Sequence, residues 1–546
     1  MSDIEVPVLI VGGSLVGMSA ALFLAQHGVR SLAVEYHRGT AIHPRAAQAT
    51  QRTMEVFRTV GLERIICDRS AEQFVPNGGV VAVETLAGGL TTEFIADLNA
   101  GIRDVSPCER VFLSQNALEP LLKQRAVELG AEFRFATEVV AVQQDADGVT
   151  AQLRHRDSGE LTTVRAQYVI AADGAHSRIR EQLGIGVRGR GTFSKSVTIY
   201  FRANLQPYLA DKQWAVVYVN NAQLRGFFRF EKPFESAFLV VNTAGDPDAP
   251  DTDLSAGLSD ERARHFVHIA LGATIPVTVE NVMHWNACAD VAAAFRMGRV
   301  FIAGDAAHVM PPNGGFGGNT GVQDAHNLAW KLALVLSGRA HPALLDTYAA
   351  EREPPATLTV EQAYTRYVVR TDPHLKPTGT APYVQDLNIE LGYVYRSSAI
   401  DASEPDDGAL HLSPRESRGR PGTRAPHVWL ERDGTRLSTL DLFGTGFTLL
   451  GGPDAQEWCR CGRAAGAATS LPLACFAPGS DGLRDPEGKL PGAYGIGPAG
   501  CVLVRPDGFV AWRALGTETP SVQTILSVLA SIVGSPGTPR APGSVR

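Results

Sequence analysis

Apolar runs alternate with polar breaks in a strand–helix–strand rhythm at the start of the chain. Pro7 to Val11 is a continuous apolar strand that stops at Gly12-Gly13-Ser14-Leu15-Val16-Gly17. A helix over Met18 to His27 follows and is ended by Gly28; Ser31 to Val34 then forms a second strand finishing at Glu35. Strands that are apolar throughout, without alternation, predict a sheet buried on both faces. Helices are predicted over Arg52 to Arg58, preceded by His43-Pro44-Arg45-Ala46, and over Gln115 to Glu128. Residues 133 to 170 alternate apolar and polar in short runs broken by Asp147-Gly148 and Ser158-Gly159. That pattern predicts a β-meander with hairpin turns. It closes in Tyr168-Val169-Ile170-Ala171-Ala172, a buried strand stopping at Asp173-Gly174.

From Thr192 to about Val282 the texture changes to β-type runs rich in aromatics, such as Phe227-Phe228-Arg229-Phe230. The stretch Arg299 to Lys331 is the centre of the chain. It opens as a buried strand, Val300 to Ala303, which stops at Gly304-Asp305. A loop dense in glycine and proline runs from Pro311 to Gly318. A helix follows, with Val322, Ala325, Ala329, Leu332 and Leu336 spaced for one buried face. Asn319 is its expected N-cap and Gly338 its expected stop. Ala343 to Arg370 predicts a helix broken at Pro354-Pro355.

These elements give an α/β fold with a discontinuous Rossmann-like domain, residues 1–190 and 283–370, and an inserted β-sheet domain, 191–282. Residues 371–425, rich in proline, glycine and charge, are expected to be a linker. Residues 426–534 form a small C-terminal α/β domain, and 535–546 are expected to be a disordered tail.

Composition narrows the class of function. The chain has 546 residues, 44% of them hydrophobic, and a formal charge of −7. Two or three domains are expected at that length. A mildly acidic chain with no basic block is a poor partner for nucleic acid or anionic membrane. No apolar run is long enough to span a bilayer, and no charged-then-apolar leader precedes the first strand. Seven scattered cysteines do not make a disulfide framework, so a reduced, cytoplasmic protein is expected.

The first βαβ unit carries the outline of a dinucleotide site. Its glycines allow a tight turn, a pyrophosphate would lie at the helix N-terminus, and an acid would take ribose hydroxyls. Glu35 stands 18 residues beyond Gly17, near the usual spacing of about 20. Ser14 replaces the second glycine of the fingerprint, placing a hydroxyl where backbone normally meets phosphate. Gly184 to Gly189 and Gly495 to Gly500 match the glycine pattern better. Neither lies between a strand and a helix, so both are read as ordinary turns.

Asp305 and Asp173 could each simply cap a turn, but Gly304 with its glycine loop, and Gly174 with Ser177 and Arg180, favour ligand binding. Arg45 is balanced between a cofactor contact and a structural ion pair. His308 is read as packed scaffold, and His265 with His268 as a polar helix face, so no metal site is expected.

Three separated motifs in order, Gly12 to Gly17 with Glu35, Asp173-Gly174 with Ser177 and Arg180, and Gly304-Asp305 continuing to Asn327, resemble those of the FAD-dependent aromatic hydroxylases. More narrowly, the chain resembles the phenol-hydroxylase-like branch that includes hydroxylases of aromatic polyketides. The resemblance implies that Gly12, Ser14, Gly17 and Glu35 bind the adenosine half of FAD, and Asp305 its ribityl or pyrophosphate region. Arg45 and Gln115 would contact FAD, and Pro312, Gly315, Gly318 and Asn319 would line the flavin ring. Asp173 and Gly174 would serve FAD and NAD(P)H together. The C-terminal part resembles the thioredoxin-like domain of that branch, but Cys459-Arg460-Cys461 is not a C-x-x-C pair.

The implied reaction is NAD(P)H- and O2-dependent hydroxylation of a polycyclic, polyketide-like aromatic through a C4a-hydroperoxyflavin. The β-rich insert would wall a dry pocket, with Tyr218 and Arg370 as candidate substrate contacts and no residue assigned as catalytic base. A monomer or homodimer is expected. Baeyer–Villiger-type oxygen insertion on the same scaffold, or a flavoprotein that binds an aromatic without turnover, stay open from the sequence.

Overall fold

The computed structural model describes residues 3–42, 48–242 and 257–534. Arg45 and its neighbours, and the expected tail at 535–546, lie outside the described residues. The first strand, Ile4–Val11, pairs in parallel with Ser31–Val34 on one side and Leu161–Ala171 on the other. Leu161–Ala171 pairs in parallel with Val300–Ile302. The strand ends at Gly12, Asp173 and Gly304 therefore emerge side by side at the carboxyl edge of one sheet. Ligands bind at that edge in open α/β sheets. Glu132–Arg134 adds a further parallel strand beside Ser31–Val34. Within 133–170, Thr137–Gln144, Val149–His155 and Leu161–Ala171 form the antiparallel hairpins, so the meander is shorter than the alternation predicted.

The helix Leu15–Gln26 lies against this sheet with Gly17 beside Ile10, and its Met18, Leu22 and Phe23 are fully buried. The long helix Phe316–Leu336 lies beside it and is buried on nearly every side. Its N-cap is Gly315 in the left-handed region (φ 68°), not Asn319, which falls in the first turn. A helix that must begin at a left-handed residue selects glycine there, and Asn319 is released to bond elsewhere. The next helix, Thr347–Arg370, runs unbroken through Pro354 and Pro355. Buried Tyr348, Glu351 and Arg352 before the pair, and Ala356, Thr359 and Val360 after it, hold the helix across the two missing N–H donors.

The second large sheet contains Val187–Arg202, Trp214–Asn220, Arg225–Glu231, Ser236–Asn242 and Thr278–Ala292. It also recruits Gly79–Val83 and Leu90–Ile95 from the earlier part of the chain. Side-chain alternation gives it two faces. Val217, Phe228, Leu239 and Ile199 pack under the helix Asp260–Leu271. Tyr218, Phe227 and Phe238 point the other way, where Tyr218 and Phe227 join a cluster with Phe74 and Phe112.

Residues 371–425 pack tightly for a linker. Their short helix Asp386–Leu391 buries Glu390 against Arg110 at 2.9 Å, and Tyr395 stacks on Phe509 of the C-terminal domain with Tyr393 tilted beside it. That domain has the thioredoxin-like order: Phe447–Gly451, Gln456–Thr469, Leu473–Phe476, two antiparallel strands and a closing helix, Val522–Val533. Cys459 and Cys461 are both buried on its first helix, and burial pushes the Cys459 thiol up to about 11.

A candidate cofactor and substrate site

The glycines of the first turn are dictated by close packing. A Cβ on Gly12 (φ +100°) would stand 2.2 Å from the Ala172 carbonyl oxygen, and one on Gly17 would stand 1.8 Å from that of Gly12. Glu35 receives the Gly13 N–H at 2.6 Å and the His37 N–H at 2.8 Å, which fixes its carboxylate beside the turn. Ser14 makes no side-chain cap to the helix Leu15–Gln26. Its hydroxyl donates instead to Glu119 Oε1 at 2.5 Å and accepts from Gln115 Nε2 at 2.8 Å. The first-turn N–H groups are thus left uncapped by Ser14, and they form the positive end of the helix, a fit for a pyrophosphate. The fully buried Glu119, which also accepts the Ala41 N–H at 2.6 Å, was not legible as a site residue. The only sequence signal was an acid one turn beyond Gln115 on the apolar side of a helix.

The second motif is tied to the third. Asp173 accepts from Ser177 Oγ at 2.6 Å and from the Ile179 N–H at 3.2 Å, and Ser177 in turn caps the Arg180 N–H at 3.0 Å. Burial pushes the Asp173 carboxyl above its ordinary range, against these hydrogen bonds. The buried Arg180 guanidinium then donates to the Ala306 carbonyl at 3.0 Å, directly beside Asp305. Gly174 has φ +84° with open space around it, so backbone conformation, not crowding, selects glycine there.

Gly304 also has a positive φ, +62°, and a Cβ on it would meet Val16 at 2.7 Å. Its N–H donates to Asp324 at 3.0 Å. Asp324 is completely buried and also bonds His308 Nε2 at 2.7 Å and Arg352 Nε at 2.7 Å. Burial alone would raise the Asp324 carboxyl, but His308 and Arg352 outweigh it and hold it below its ordinary range. Arg352 further reaches the Thr320 carbonyl at 3.1 Å. This network braces the turn that exposes Asp305. It assigns His308 to scaffold, and it was missed in the sequence because Asp324 and Arg352 sit in helical runs that read only as amphipathic.

The glycine loop turns toward the second sheet. Asn319 accepts the Thr50 N–H at 2.9 Å and donates to the Gln48 carbonyl at 2.8 Å, clamping the loop's far end to the strand before the helix Gln51–Arg58. Buried Asn313 donates to the Tyr218 hydroxyl at 3.2 Å and to Thr371 Oγ1 at 3.0 Å. Tyr218 also helps hold the charge of the buried Arg370, which donates to the Tyr383 hydroxyl at 3.2 Å and lies 5.5 Å from the Phe94 ring centre. The structure therefore brings Tyr218, Arg370 and the loop containing Pro312 and Gly315 together. Glu35, Gln115 and Ser14 meet around the first turn.

A Rossmann-type sheet whose three strand ends converge on one edge, facing an aromatic-lined second sheet across a glycine loop, defines a flavin-dependent monooxygenase. Comparison with known proteins gives the same class and places it more narrowly. Residues 5–363 match the FAD binding domain family, and residues 418–536 match the aromatic-ring hydroxylase C-terminal family. The chain is 53% identical over 519 residues to 4-methyl-5-nitrocatechol 5-monooxygenase of Burkholderia sp, covering 94% of each. It is 39% identical to tetracenomycin A2 monooxygenase-dioxygenase of Streptomyces glaucescens, covering 99% of each. A ternary complex of aklavinone-11 hydroxylase with FAD and aklavinone superimposes with a TM-score of 0.91 at 37% identity, over 98% of this chain and 100% of that one. The chain belongs to the FAD-dependent aromatic-ring hydroxylases, with FAD as its cofactor.

Proposed function

We propose that this enzyme adds one oxygen atom from O2 to a phenolic aromatic ring, with NADPH or NADH as electron donor. The substrate class is a polycyclic, polyketide-like phenol or a smaller catechol. The observation that carries the reading is the cluster of Asn313, Tyr218 and Arg370, held between the glycine loop and the aromatic face of the second sheet. FAD supplies the electron transfer and oxygen activation when bound. Glu35 and the uncapped turn after Ser14 would hold its adenosine half, and Asp305 with the loop from Pro312 to Asn319 its flavin half.

The chain's own residues then have three tasks. Arg370, whose cation is retained despite burial through Tyr218, Asp386 and Tyr383, would lower the pKa of a phenol placed against it and enrich the ring in electron density. Tyr218, oriented by Asn313, would fix the hydroxyl end of that ring. The apolar face around Phe94, Phe227 and Phe238 would keep water out, which suppresses side reactions in oxygen transfer. No helix among the described residues is long and apolar enough to cross a membrane, and the seven cysteines are free thiols. Both support a cytoplasmic enzyme.

Two relatives of different substrate class are similar over nearly the whole chain, so the test uses both chemistries. Purified holoenzyme is titrated with 4-methyl-5-nitrocatechol and with a hydroxylated anthraquinone, and the flavin absorbance is followed together with NADPH oxidation. A perturbed flavin spectrum and faster oxidation with at least one of them are expected. No response to either would overturn the reading. A lactone product would point to Baeyer–Villiger-type insertion instead.

A further inference from the structure

Arg370 meets two phenols of opposite character. Tyr218 is buried, and its hydroxyl has a second anchor in Asn313, which donates to it at 3.2 Å. The Tyr383 hydroxyl accepts from Arg370 Nη2 at 3.2 Å, yet Tyr383 is 46% exposed and Arg370 only 4%. Among the described residues the Tyr383 hydroxyl has no other hydrogen-bond partner. A tyrosine of the protein itself, reaching in from the surface, thus holds the guanidinium against which the reading above places a phenol of the substrate.

The segment that carries Tyr383 is lightly held. Residues 380–384 precede the helix Asp386–Leu391 and make no backbone–backbone hydrogen bond among the described residues. They are fastened to one face of the helix Thr347–Arg370 through side chains four residues apart. Gln362 donates from Nε2 to the Pro382 carbonyl at 2.7 Å and accepts the Val384 N–H at 2.9 Å. Arg366 donates to the Val384 carbonyl at 2.7 Å, and its guanidinium lies 4.3 Å from the centre of the Tyr383 ring. Arg370 completes the row at the helix end. An exposed segment held by side chains, without a backbone ladder, opens at a fraction of the free energy needed to open the core. Tyr218 has no such freedom, because its strand is paired on both sides.

Resting on the function proposed above, the geometry points to Tyr383 as an internal stand-in for the substrate: its phenol competes with that of an aromatic ligand for Arg370 and is displaced outward while the ligand is bound. The two phenols exchange at little net cost, since one hydrogen bond to a charged donor replaces another. A ring without a hydroxyl must break the same contact and leaves the buried guanidinium short of an acceptor. Tyr383 therefore acts on substrate binding through Arg370 and takes no part in oxygen transfer.

The test uses the holoenzyme and whichever phenol, 4-methyl-5-nitrocatechol or the hydroxylated anthraquinone, perturbs the flavin spectrum. Tyr383→Phe keeps the ring over Arg366 and removes only the competing hydroxyl. Its dissociation constant for that phenol, read from flavin absorbance, is expected to fall by about fivefold or more, the effect of losing one hydrogen bond to a charged donor. A constant that stays the same, or that rises as it would if Tyr383 were a direct substrate contact, would overturn the assignment. The wild type supplies a second measurement that needs no variant to fold. Acetylation of the Tyr383 oxygen by N-acetylimidazole, mapped by peptide mass spectrometry, should run several times faster with the phenol bound than without it. A rate unchanged or slowed by the phenol would overturn the assignment and leave the proposed hydroxylation standing. A flavin that responds to no aromatic would remove both.

Discussion

Arg180 donates from Nη1 to the carbonyl of Ala306 at 3.0 Å, so the Asp173-Gly174 motif physically holds the turn that carries Asp305. Two pieces of chain more than a hundred residues apart are thereby made into one wall. Removing the guanidinium leaves a buried carbonyl without its charged donor, a loss of about 1.5–3 kcal/mol. Arg180→Met is expected to weaken FAD binding by tenfold or more, measured by fluorescence titration of the apoprotein. Unchanged affinity would show that the Asp305 turn holds its shape alone.

Asp324 is the hub beneath the same turn, with Gly304, His308 and Arg352 all bound to it. Asp324→Leu would leave Arg352 buried beside an apolar residue, at a cost of roughly 3–5 kcal/mol. A clear fall in denaturant midpoint is expected. The double variant Asp324→Leu with Arg352→Met should be more stable than the single one, because it removes the orphaned charge. A double variant less stable than the single one would show that the pair does not act as a unit.

The C-terminal domain is bolted on by ion pairs. Arg505 contacts Glu351 at 2.6 Å, Lys331 contacts Glu351 at 2.7 Å, and all three side chains are fully buried. Burial lowers the Lys331 ammonium to about 8, against the pull of Glu351. Glu351→Ala is expected to separate thermal unfolding into two transitions in calorimetry, where the wild type gives one. A single unshifted transition would deny the network its coupling role.

His427 gives the pH dependence. It is buried with Nδ1 at 2.7 Å from Ser438 Oγ and Nε2 without a hydrogen-bond partner among the described residues, and desolvation lowers its pKa to about 4. The ordinary value is near 6.5, so the folded state resists protonation. Its stability contribution is complete above pH ~6.5 and is lost as pH falls through about 4, by up to about 3 kcal/mol. His427→Asn should flatten the decline in urea midpoint between those values. An identical decline in the variant would place the acid sensitivity elsewhere.

Much of this was legible in the sequence for a simple reason. Pro7 to Val11, Tyr168 to Ala172 and Val300 to Ala303 are continuous apolar runs ending in Gly or Asp, and parallel strands buried on both faces leave that trace. The acids at strand ends, Glu35, Asp173 and Asp305, were legible for the same reason. Asp324, Arg352, Asn313 and Glu119 were not, because their partners lie in other elements and local spacing carries no record of them. Asn319 misled as an N-cap because local preference favours asparagine there, while the left-handed Gly315 set the true boundary. Residues 371–425 read as loop from proline and glycine content, yet Glu390, Tyr393 and Tyr395 pack through tertiary contacts.

The most direct measurement supplies the holoenzyme with NADPH, 18O2 and whichever phenol perturbs the flavin spectrum, and weighs the product. A ring-hydroxylated product carrying a single 18O atom is expected, with its formation falling sharply in Arg370→Met. Product oxygen drawn from water, or NADPH consumed with no oxygenated aromatic formed by the wild type, would contradict the account.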